Sequence, residues 1–296
     1  MPGLSILIPV YNQPVEALTQ QLLAQAGDWP GPVEVLLFDD GSRPEIRRQN
    51  QPLARLPQVR YEETGRNRGR AAIRNHLADN ARYPSLLLLD NDSLLPDNQF
   101  LARYAAAAGS ADVLIGGTAY EATPPADPAL YLRWHYGRRR EMRPAALRQA
   151  APYAQLTINN ALLRAEVLRR FPLDERLTGY GHEDTLLGQQ LAAAAVPLRH
   201  LANPVLHDGL EPAAVFLEKS RQAVQNLAYV LQNEGLGGDS RLAQAAARLH
   251  RLGLAGAARR ALAAAAPTLQ RHLLGQNPNL RAFDLLKLGW LLGFNE

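Results

Sequence analysis

A run of four leucines that ends in Asp90-Asn91-Asp92 constrains the fold more than any other part of the chain. The run, residues 86–89, is uniformly apolar and follows Tyr83-Pro84. A short, continuous apolar run of this kind is typical of a strand that is buried on both faces of a sheet. In open α/β sheets, ligands bind beyond the carboxyl ends of the strands. The pattern therefore predicts a buried strand with a polar site at its carboxyl end.

The acidic triplet itself has two interpretations. Asp90 and Asp92 are two residues apart, so extended backbone would place both side chains on one face. One or two carboxylates that act together with substrate phosphates are a recurring way to bind Mg²⁺ or Mn²⁺. The alternative is a polar turn after a strand, because Asp and Asn are also common turn residues. The triplet alone does not decide between a metal site and a turn.

Apolar runs and helix-period segments alternate through the first two thirds of the chain. This alternation predicts an α/β fold with a mostly parallel sheet that is flanked by helices. We expect this domain to span residues 1–211, and a small Ala/Leu/Arg-rich helical region to follow at residues 212–296. The predicted strands are 4–10, 33–38, 59–62, 86–89, 113–116, 157–160, 196–201 and 204–207. The predicted helices are 15–26, 45–51, 67–80, 97–108, 162–170, 183–195, 213–233, 240–252 and 257–266.

Composition excludes several classes of protein. The chain has no cysteine, which excludes disulfides, thiolate chemistry and Cys-ligated zinc. It has no apolar run of about 18 residues, and its start lacks the basic segment of a signal peptide, so we expect a cytoplasmic protein. A net charge of +4, spread along the chain, does not favour a nucleic-acid partner. The sequence has neither a GxGxxG nor a Walker A motif, so dehydrogenase and P-loop interpretations are poor.

Five motifs in order make the interpretation specific, and together they resemble the bacterial family 2 glycosyltransferases, which have the GT-A fold. The resemblance extends from residue 4 to about residue 208. The motifs that carry it are Ser5-Ile6-Leu7-Ile8-Pro9-Val10-Tyr11-Asn12, Phe38-Asp39-Asp40-Gly41-Ser42, Asn67-Arg68-Gly69-Arg70-Ala71-Ala72-Ile73-Arg74-Asn75, Asp90-Asn91-Asp92 and Gly179-Tyr180-Gly181-His182-Glu183-Asp184, with His207 downstream.

The resemblance implies a set of residues that bind the nucleotide and the donor sugar. Asp39 or Asp40 would accept hydrogen bonds from the base or the ribose, and Arg70 or Arg74 would reach the base or a phosphate. Asp90 would contact the ribose or a metal-bound water. The remaining residues of this set are Pro9, Tyr11, Asn12 and Asn160. Structural alternatives stay open, because Asp40-Gly41-Ser42 is also typical of a tight turn that caps a helix.

The resemblance also implies a metal ion, Mn²⁺ or Mg²⁺, that is bound by Asp92 of a DXD motif and by His207. Imidazole suits Mn²⁺ better than Mg²⁺. The structural alternative is a half-buried histidine that is hydrogen-bonded at the end of a strand.

The catalytic residues implied by the resemblance are Asp184 and Glu183. Asp184 would be the general base that takes the proton from an acceptor hydroxyl, and Glu183 would orient the acceptor or a sugar hydroxyl. A carboxylate at a helix start is also stabilised by the helix dipole, which gives both residues a structural alternative. Inversion at the anomeric carbon is an expectation from the family.

The function implied is an inverting, metal-dependent, hexosyltransferase-type enzyme of cell-envelope polysaccharide biosynthesis. It would move a sugar from a nucleoside-diphosphate sugar, UDP-linked, to a hydroxyl of a glycan or lipid-linked glycan. One alternative is a sugar-nucleotide pyrophosphorylase, although that class needs a Gly-rich, Lys/Arg-bearing signature where this chain has Pro9-Val10-Tyr11-Asn12. Another alternative is a non-catalytic module that binds a sugar nucleotide or a glycan.

Two segments have no assigned role in the family pattern. Residues 124–151 are rich in arginine and aromatic residues and can face an anionic acceptor, a membrane surface or solvent. The apolar ending, residues 285–294, is predicted to dock onto its own domain or a partner subunit in preference to a membrane interface. Peripheral contact with the inner face of the cell membrane is a further expectation, and the sequence does not predict an oligomeric state.

Overall fold

The computed structural model describes residues 2–177, 179–235, 237–238 and 240–294. Two compact units are present, and each is described by itself. The first comprises Met1–Glu121, Glu141–Arg176 and Gln190–Gly209, and the second comprises Ala122–Arg140, Leu177–Gln189 and Leu210–Glu296. The predicted boundary at residue 211 stays a prediction about domains. Residues 122–140 and 177–189 cluster with the C-terminal helices, which the sequence does not predict.

Seven strands of the first unit form a mostly parallel mixed sheet, and three short strands form a second sheet. The seven-stranded sheet has the order β3-β2-β1-β4-β8-β6-β9, and the small sheet has the order β5-β10-β7. Within the large sheet, β8 runs antiparallel to both of its neighbours. The strands are β1 Leu4–Val10, β2 Val33–Asp39, β3 Val59–Glu63, β4 Ser85–Leu89, β5 Ser93–Leu94, β6 Val113–Ile115, β7 Thr118–Ala119, β8 Asn160–Arg164, β9 Leu198–His200 and β10 Val205–His207.

The helices of the first unit flank this sheet, and those of the second unit form a helical body. In chain order the α-helices are α1 Glu16–Ala24, α2 Pro44–Asn50, α3 Arg70–Asp79, α4 Phe100–Ala107, α5 Tyr131–Tyr136, α6 Ala145–Gln149, α7 Ala165–Arg170, α8 Glu183–Ala193, α9 Ala213–Asn233, α10 Arg241–Arg251, α11 Ala255–Leu273 and α12 Leu280–Phe294. The predicted fold class is confirmed. None of the described helices has both the length and the hydropathy needed to cross a bilayer.

The core of the first unit explains why the four-leucine run is a strand. Leu87 and Leu89 point to one face, where they join a buried cluster with Ile6, Ile8 and Phe100. All four leucines of the run are at most 1% exposed. Burial of roughly 1.5–3 kcal/mol per leucine side chain makes this central strand a major contributor to stability.

One strand was predicted at the wrong place. The sequence predicts a strand over 157–160 and a helix from 162, whereas β8 runs from Asn160 to Arg164 and α7 begins at Ala165. A short Ala-Leu-Leu run fits either structure by periodicity alone. The strand forms because β4 and β6 offer it a hydrogen-bonding partner on each side.

The C-terminal helices also differ from the prediction at one point. The sequence predicts a helix over residues 257–266, but α11 runs from Ala255 to Leu273 and includes Pro267. An interior proline costs a helix about 3 kcal/mol. Packing offsets this cost, since Ala266, Leu269 and Leu273 of α11 contact the buried face of α12.

The apolar ending of the chain docks within the second unit, as predicted. Phe283, Leu286, Leu291 and Leu292 of α12 are each at most 3% exposed. They pack in two clusters with side chains of α9, α10 and α11. The ending is therefore part of a helical core.

Candidate functional site

The carboxyl ends of β1, β2 and β4 lie at one edge of the sheet, because these strands are parallel and neighbouring. Val10 is paired with Asp39 in the register of β1 and β2, and Leu7 is paired with Leu88 in that of β1 and β4. The residues that follow these strands therefore gather at one edge, where α/β sheets bind ligands.

Asp39 and Asp40 follow β2 and have different partners. Asp39 is completely buried, accepts the Ser42 N–H at 2.7 Å and accepts the Tyr61 hydroxyl at 3.2 Å. Asp40 is 4% exposed and accepts the backbone N–H groups of Arg68 at 2.7 Å and Gly69 at 3.1 Å. Both carboxylates thus organise loops around the edge, and their predicted contact with the nucleotide stays a prediction.

Burial and hydrogen bonding act in opposite directions on Asp40. Burial raises the pKa of this carboxyl, and the two backbone N–H groups oppose the rise by stabilising the carboxylate. Asp40 holds the chain just before α3, which begins at Arg70. Through this link β2 positions the arginines of α3.

The turn after β1 is built around Asn12. Its backbone is in the left-handed region, with φ of 52°, which asparagine tolerates better than most residues. Its N–H donates to Ser42 Oγ at 2.8 Å, and its Oδ1 accepts the Arg43 N–H at 2.9 Å. Tyr11, with 50% of its surface exposed, presents an aromatic ring at this edge, and Pro9 is half-buried in β1.

Asp90 is bound by two arginines one turn apart on α3. Arg74 donates to Asp90 Oδ1 at 2.5 Å, and Arg70 lies 3.5 Å from Oδ2. The Arg74 side chain is 3% exposed and that of Arg70 is 40% exposed. Burial alone would raise the pKa of Asp90, but the two guanidinium groups outweigh it, and the pKa is lowered. Asp90 is therefore a carboxylate in a positive environment.

Asn91 lies between the two acids and has a structural contact of its own. Its Nδ2 donates to the backbone carbonyl of Tyr11 at 3.2 Å. The side chain thus ties the end of β4 to the turn after β1.

Asp92 and His207, the two predicted metal ligands, lie close together. Asp92 Oδ1 lies 3.5 Å from His207 Nδ1. Two atoms that bind one octahedral ion at right angles lie about 3 Å apart, given bonds of about 2.1 Å. A small closing movement would let both side chains bind one ion, so this donor set fits Mn²⁺ or Mg²⁺.

The remaining ligands of such an ion would be substrate oxygens and water. Among the described residues, no three His, Asp or Glu side chains are grouped as a metal site. Mg²⁺ in particular is usually bound by one or two carboxylates together with phosphates and water. The Asp92–His207 pair therefore fits a metal that binds together with a diphosphate.

Two residues that support this pair were not predicted. Gly209 packs directly on Asp92, because a Cβ at Gly209 would lie 2.8 Å from both Cβ and Cγ of Asp92. Tyr120 packs edge-on against the His207 ring, with centroids 5.3 Å apart, and its hydroxyl donates to Glu141. The sequence gives a weak indication of a role for Gly209, because a glycine follows two residues after His207. It gives no such indication for Tyr120.

Asn160, predicted to line the donor pocket, lies in the interior. It is completely buried, its Nδ2 donates to the carbonyls of Gly117 and Asn203, and its Oδ1 accepts the Tyr104 hydroxyl at 2.7 Å. No surface of this side chain is left for a ligand. We therefore interpret Asn160 as a structural residue that joins β8 to two neighbouring loops.

Glu183 and Asp184 belong to the second unit, in the first turn of α8. Asp184 is half-buried, and Glu183 is 8% exposed. The turn before them depends on Gly181, which has φ of 91° and whose Cβ would lie 2.8 Å from Ala223 Cβ. Asn226 of α9 donates to the Gly181 carbonyl at 3.0 Å. Helix α9 thus fixes the turn that presents the acidic pair.

His182, next to the pair, is held in its neutral form. Burial lowers its pKa to about 4, an effect that Glu183 opposes and Lys287 reinforces. Its Nδ1 lies 3.1 Å from Thr185 Oγ1. The imidazole therefore carries no positive charge near neutral pH.

The model of the family described as Glycosyl transferase family 2 matches residues 5–170 of the chain. The chain belongs to this family. The protein is therefore a glycosyltransferase, and the resemblance seen in its motifs is confirmed. No curated protein is similar enough to count as a match.

Solved structures of glycosyltransferases have the same fold. The mannosyltransferase PcManGT from Pyrobaculum calidifontis, in complex with GDP-Man and Mn²⁺, has 17% identity and a TM-score of 0.59 over 98% of this chain and 85% of its own. TarS 1–349 from S. aureus, in complex with UDP, has 17% identity and a TM-score of 0.51 over 76% of this chain. The glycosyltransferase described here spans 65% of that TarS chain. These likenesses establish the GT-A fold.

Proposed function

We propose that this glycosyltransferase is an inverting, metal-dependent enzyme that uses a UDP-linked sugar as donor. Its acceptor is a hydroxyl group of a glycan or a lipid-linked glycan. The observation that carries the proposal is the Asp92–His207 pair, 3.5 Å apart, beside the Asp90 carboxylate that Arg74 and Arg70 surround. The structures of other family members with UDP, UDP-GlcNAc and GDP-Man with Mn²⁺ support a nucleotide-sugar donor.

The first unit has groups that match the diphosphate and the nucleoside of the donor. Asp92 and His207 would hold the ion against the diphosphate, and the ion would stabilise the charge that builds on the leaving nucleoside diphosphate. Arg70, whose side chain is 40% exposed, can reach a phosphate or the base while it stays near Asp90. Tyr11 offers an exposed ring for stacking on a base or sugar.

The proton transfer is assigned to Asp184. As the acceptor oxygen forms its bond to the anomeric carbon, its proton passes to the Asp184 carboxylate. The bond from the anomeric carbon to the phosphate oxygen breaks, and the nucleoside diphosphate leaves with that electron pair. A single displacement of this kind inverts the anomeric configuration. Glu183 would orient the acceptor through a hydrogen bond.

A donor panel tests the proposal. The protein is incubated with UDP-, GDP- and dTDP-sugars and Mn²⁺, with glycan acceptors, and released nucleotides are separated by anion-exchange chromatography. We expect UDP release with one UDP-sugar, lost on chelation and restored by added Mn²⁺. The product is identified by NMR, where the anomeric coupling constant reports inversion or retention.

Each other outcome of the panel contradicts a stated part of the proposal. Release of pyrophosphate indicates a pyrophosphorylase. Binding of a UDP-sugar without turnover, unchanged by Asp184→Asn, indicates a non-catalytic module. Activity that is undiminished in the presence of chelator would contradict the proposed metal dependence. A retained anomeric configuration would contradict the proposed single displacement.

Gly209→Ala is expected to weaken Mn²⁺ binding at least tenfold while the fold is kept. The added methyl group would lie 2.8 Å from Asp92 Cγ, so the carboxylate must leave its present position beside His207. Changes in the groups that orient metal ligands typically cost 10–100-fold in affinity. Binding is measured by electron paramagnetic resonance of free Mn²⁺ in the presence of UDP.

Gly27→Ala is the matched control, because a Cβ at Gly27 meets no atom within 4 Å. It should leave Mn²⁺ affinity unchanged. Equal affinity in the wild type and in Gly209→Ala would refute the assignment of Asp92 as a ligand.

A further inference from the structure

One long segment of this protein contains basic residues and no acidic residue. Residues 240–283 contain no Asp or Glu, and the whole chain has 32 Lys and Arg against 28 Asp and Glu. The rest of the chain therefore has more acidic than basic residues. The arginines of the segment are Arg241, Arg248, Arg251, Arg259, Arg260, Arg271 and Arg281.

A short turn within this segment joins α10 to α11 and carries two exposed leucines. Helix α10 ends at Arg251 and α11 begins at Ala255, so residues 252–254 join them. Leu252 is 59% exposed and Leu254 is 50% exposed. We call residues 248–260 the α10–α11 tip.

The two leucines lie in the turn that ends α10 and leads into α11. Leu252 is the C-cap of α10, and Leu254 is the N-cap of α11 without a side-chain hydrogen bond. Gly253, with φ of 70°, and Leu254 close α10 in a Schellman motif, because the Gly253 N–H donates to the His250 carbonyl and the Leu254 N–H donates to the Leu249 carbonyl. An apolar residue is common at the position of Leu254 in this motif, yet Leu254 is 50% exposed and Leu252 is 59% exposed. The turn therefore presents apolar surface to solvent.

Basic side chains surround these leucines. Arg248, Arg251 and Arg260 are exposed, and none of them forms an ion pair with any residue that the structure describes. On the other side of the tip, Leu249, Ala255 and Ala258 pack in a cluster with Leu291 and Leu292 of α12. The tip thus has a packed inner side and an outer surface of arginine and leucine.

We infer that the α10–α11 tip docks onto the surface of an anionic lipid bilayer, with Leu252 and Leu254 inserted at the interface and the arginines on the lipid phosphates. Apolar side chains flanked by arginine are what interfacial binding requires, and each basic residue near an anionic surface contributes about a fivefold increase in partitioning. An acidic protein surface would match the charge but would leave the exposed leucines without an apolar environment. The inference does not depend on the proposed reaction.

Vesicle co-sedimentation of the full chain tests the inference. We expect binding to phosphatidylcholine vesicles that contain phosphatidylglycerol, much weaker binding to phosphatidylcholine alone, and a decrease as salt is raised. The double variant Leu252→Ser, Leu254→Ser should lower partitioning about tenfold or more. The double variant Arg248→Gln, Arg251→Gln should lower it by about 25-fold, fivefold per charge.

Matched controls separate the tip from general surface effects. Leu147→Ser removes a leucine that is 63% exposed in the first unit, and Arg55→Gln removes an exposed arginine there. Both should bind vesicles like the wild type, and circular dichroism should show all variants folded. Binding that is lost in the arginine variant but kept in the leucine variant would overturn membrane docking in favour of a purely electrostatic partner. No difference between the two vesicle types would overturn it as well.

Discussion

Asp184→Asn is expected to lower kcat by about 10²–10⁴-fold, because an amide cannot take the proton of the acceptor hydroxyl. Binding of the donor nucleotide should stay within about twofold of the wild type, since the residues proposed to bind it lie in the first unit. The variant keeps the shape of the side chain at the start of α8. Measurement of kcat by UDP release and of UDP affinity by calorimetry checks both expectations.

Glu166→Gln controls for a purely structural role of the acid. Glu166, like Asp184, is in the first turn of its helix, where the dipole favours a carboxylate by about 0.3–1 kcal/mol. This control should change stability slightly and kcat not at all. If Asp184→Asn lowers kcat no more than the control does, Asp184 is a helix-stabilising residue and the base is elsewhere.

Arg74→Met is expected to have the largest effect on stability, a loss of about 3–5 kcal/mol in the free energy of unfolding. The side chain is 3% exposed, and its removal leaves the Asp90 carboxylate without its partner at 2.5 Å. For a unit of this size the loss corresponds to a decrease of roughly 6–20 °C in Tm. Urea unfolding followed by circular dichroism measures it.

Arg70→Met provides the matched comparison on the same carboxylate. Arg70 is 40% exposed and 3.5 Å from Asp90, so its loss should cost less than about 1 kcal/mol of stability. The double variant Arg74→Met, Asp90→Asn should recover part of the stability, because the unpaired charge is then gone. Equal costs for the two arginine variants would contradict a role for burial in the strength of the Arg74 interaction.

The sequence predicts the sheet and the site residues best where one local pattern decides the structure. The four leucines before Asp90 predict a strand that is buried on both faces of the sheet, and all four are buried in the structure. The α9 helix, Ala213–Asn233, has the predicted bounds, because its apolar period is long and uninterrupted. The pairing of Asp92 with His207 came from the resemblance, and the structure places the two side chains 3.5 Å apart.

Features that depend on distant partners were not predictable in the same way. Strand β8 forms because two strands far away in sequence are ready to pair with it. Helix α11 continues through Pro267 because α12 packs against it. Tyr120 packs against His207, which is distant in sequence, and no local pattern predicts this contact. Asn160 resembles a ligand-binding residue in sequence, yet its side chain is fully buried.

The small three-stranded sheet has a consequence for how this enzyme can change its specificity. Asp92 immediately precedes β5 and His207 ends β10, and in the antiparallel pairing of these strands Ser93 is opposite His207. The Asp208 N–H also donates to the Asp92 carbonyl at 2.9 Å. Spacing of the two side chains is thus set by a backbone ladder of a few residues and not by the long stretch 95–204 between them. Insertions and deletions in that stretch can reshape the substrate pockets over evolution while the separation of Asp92 and His207 stays constant.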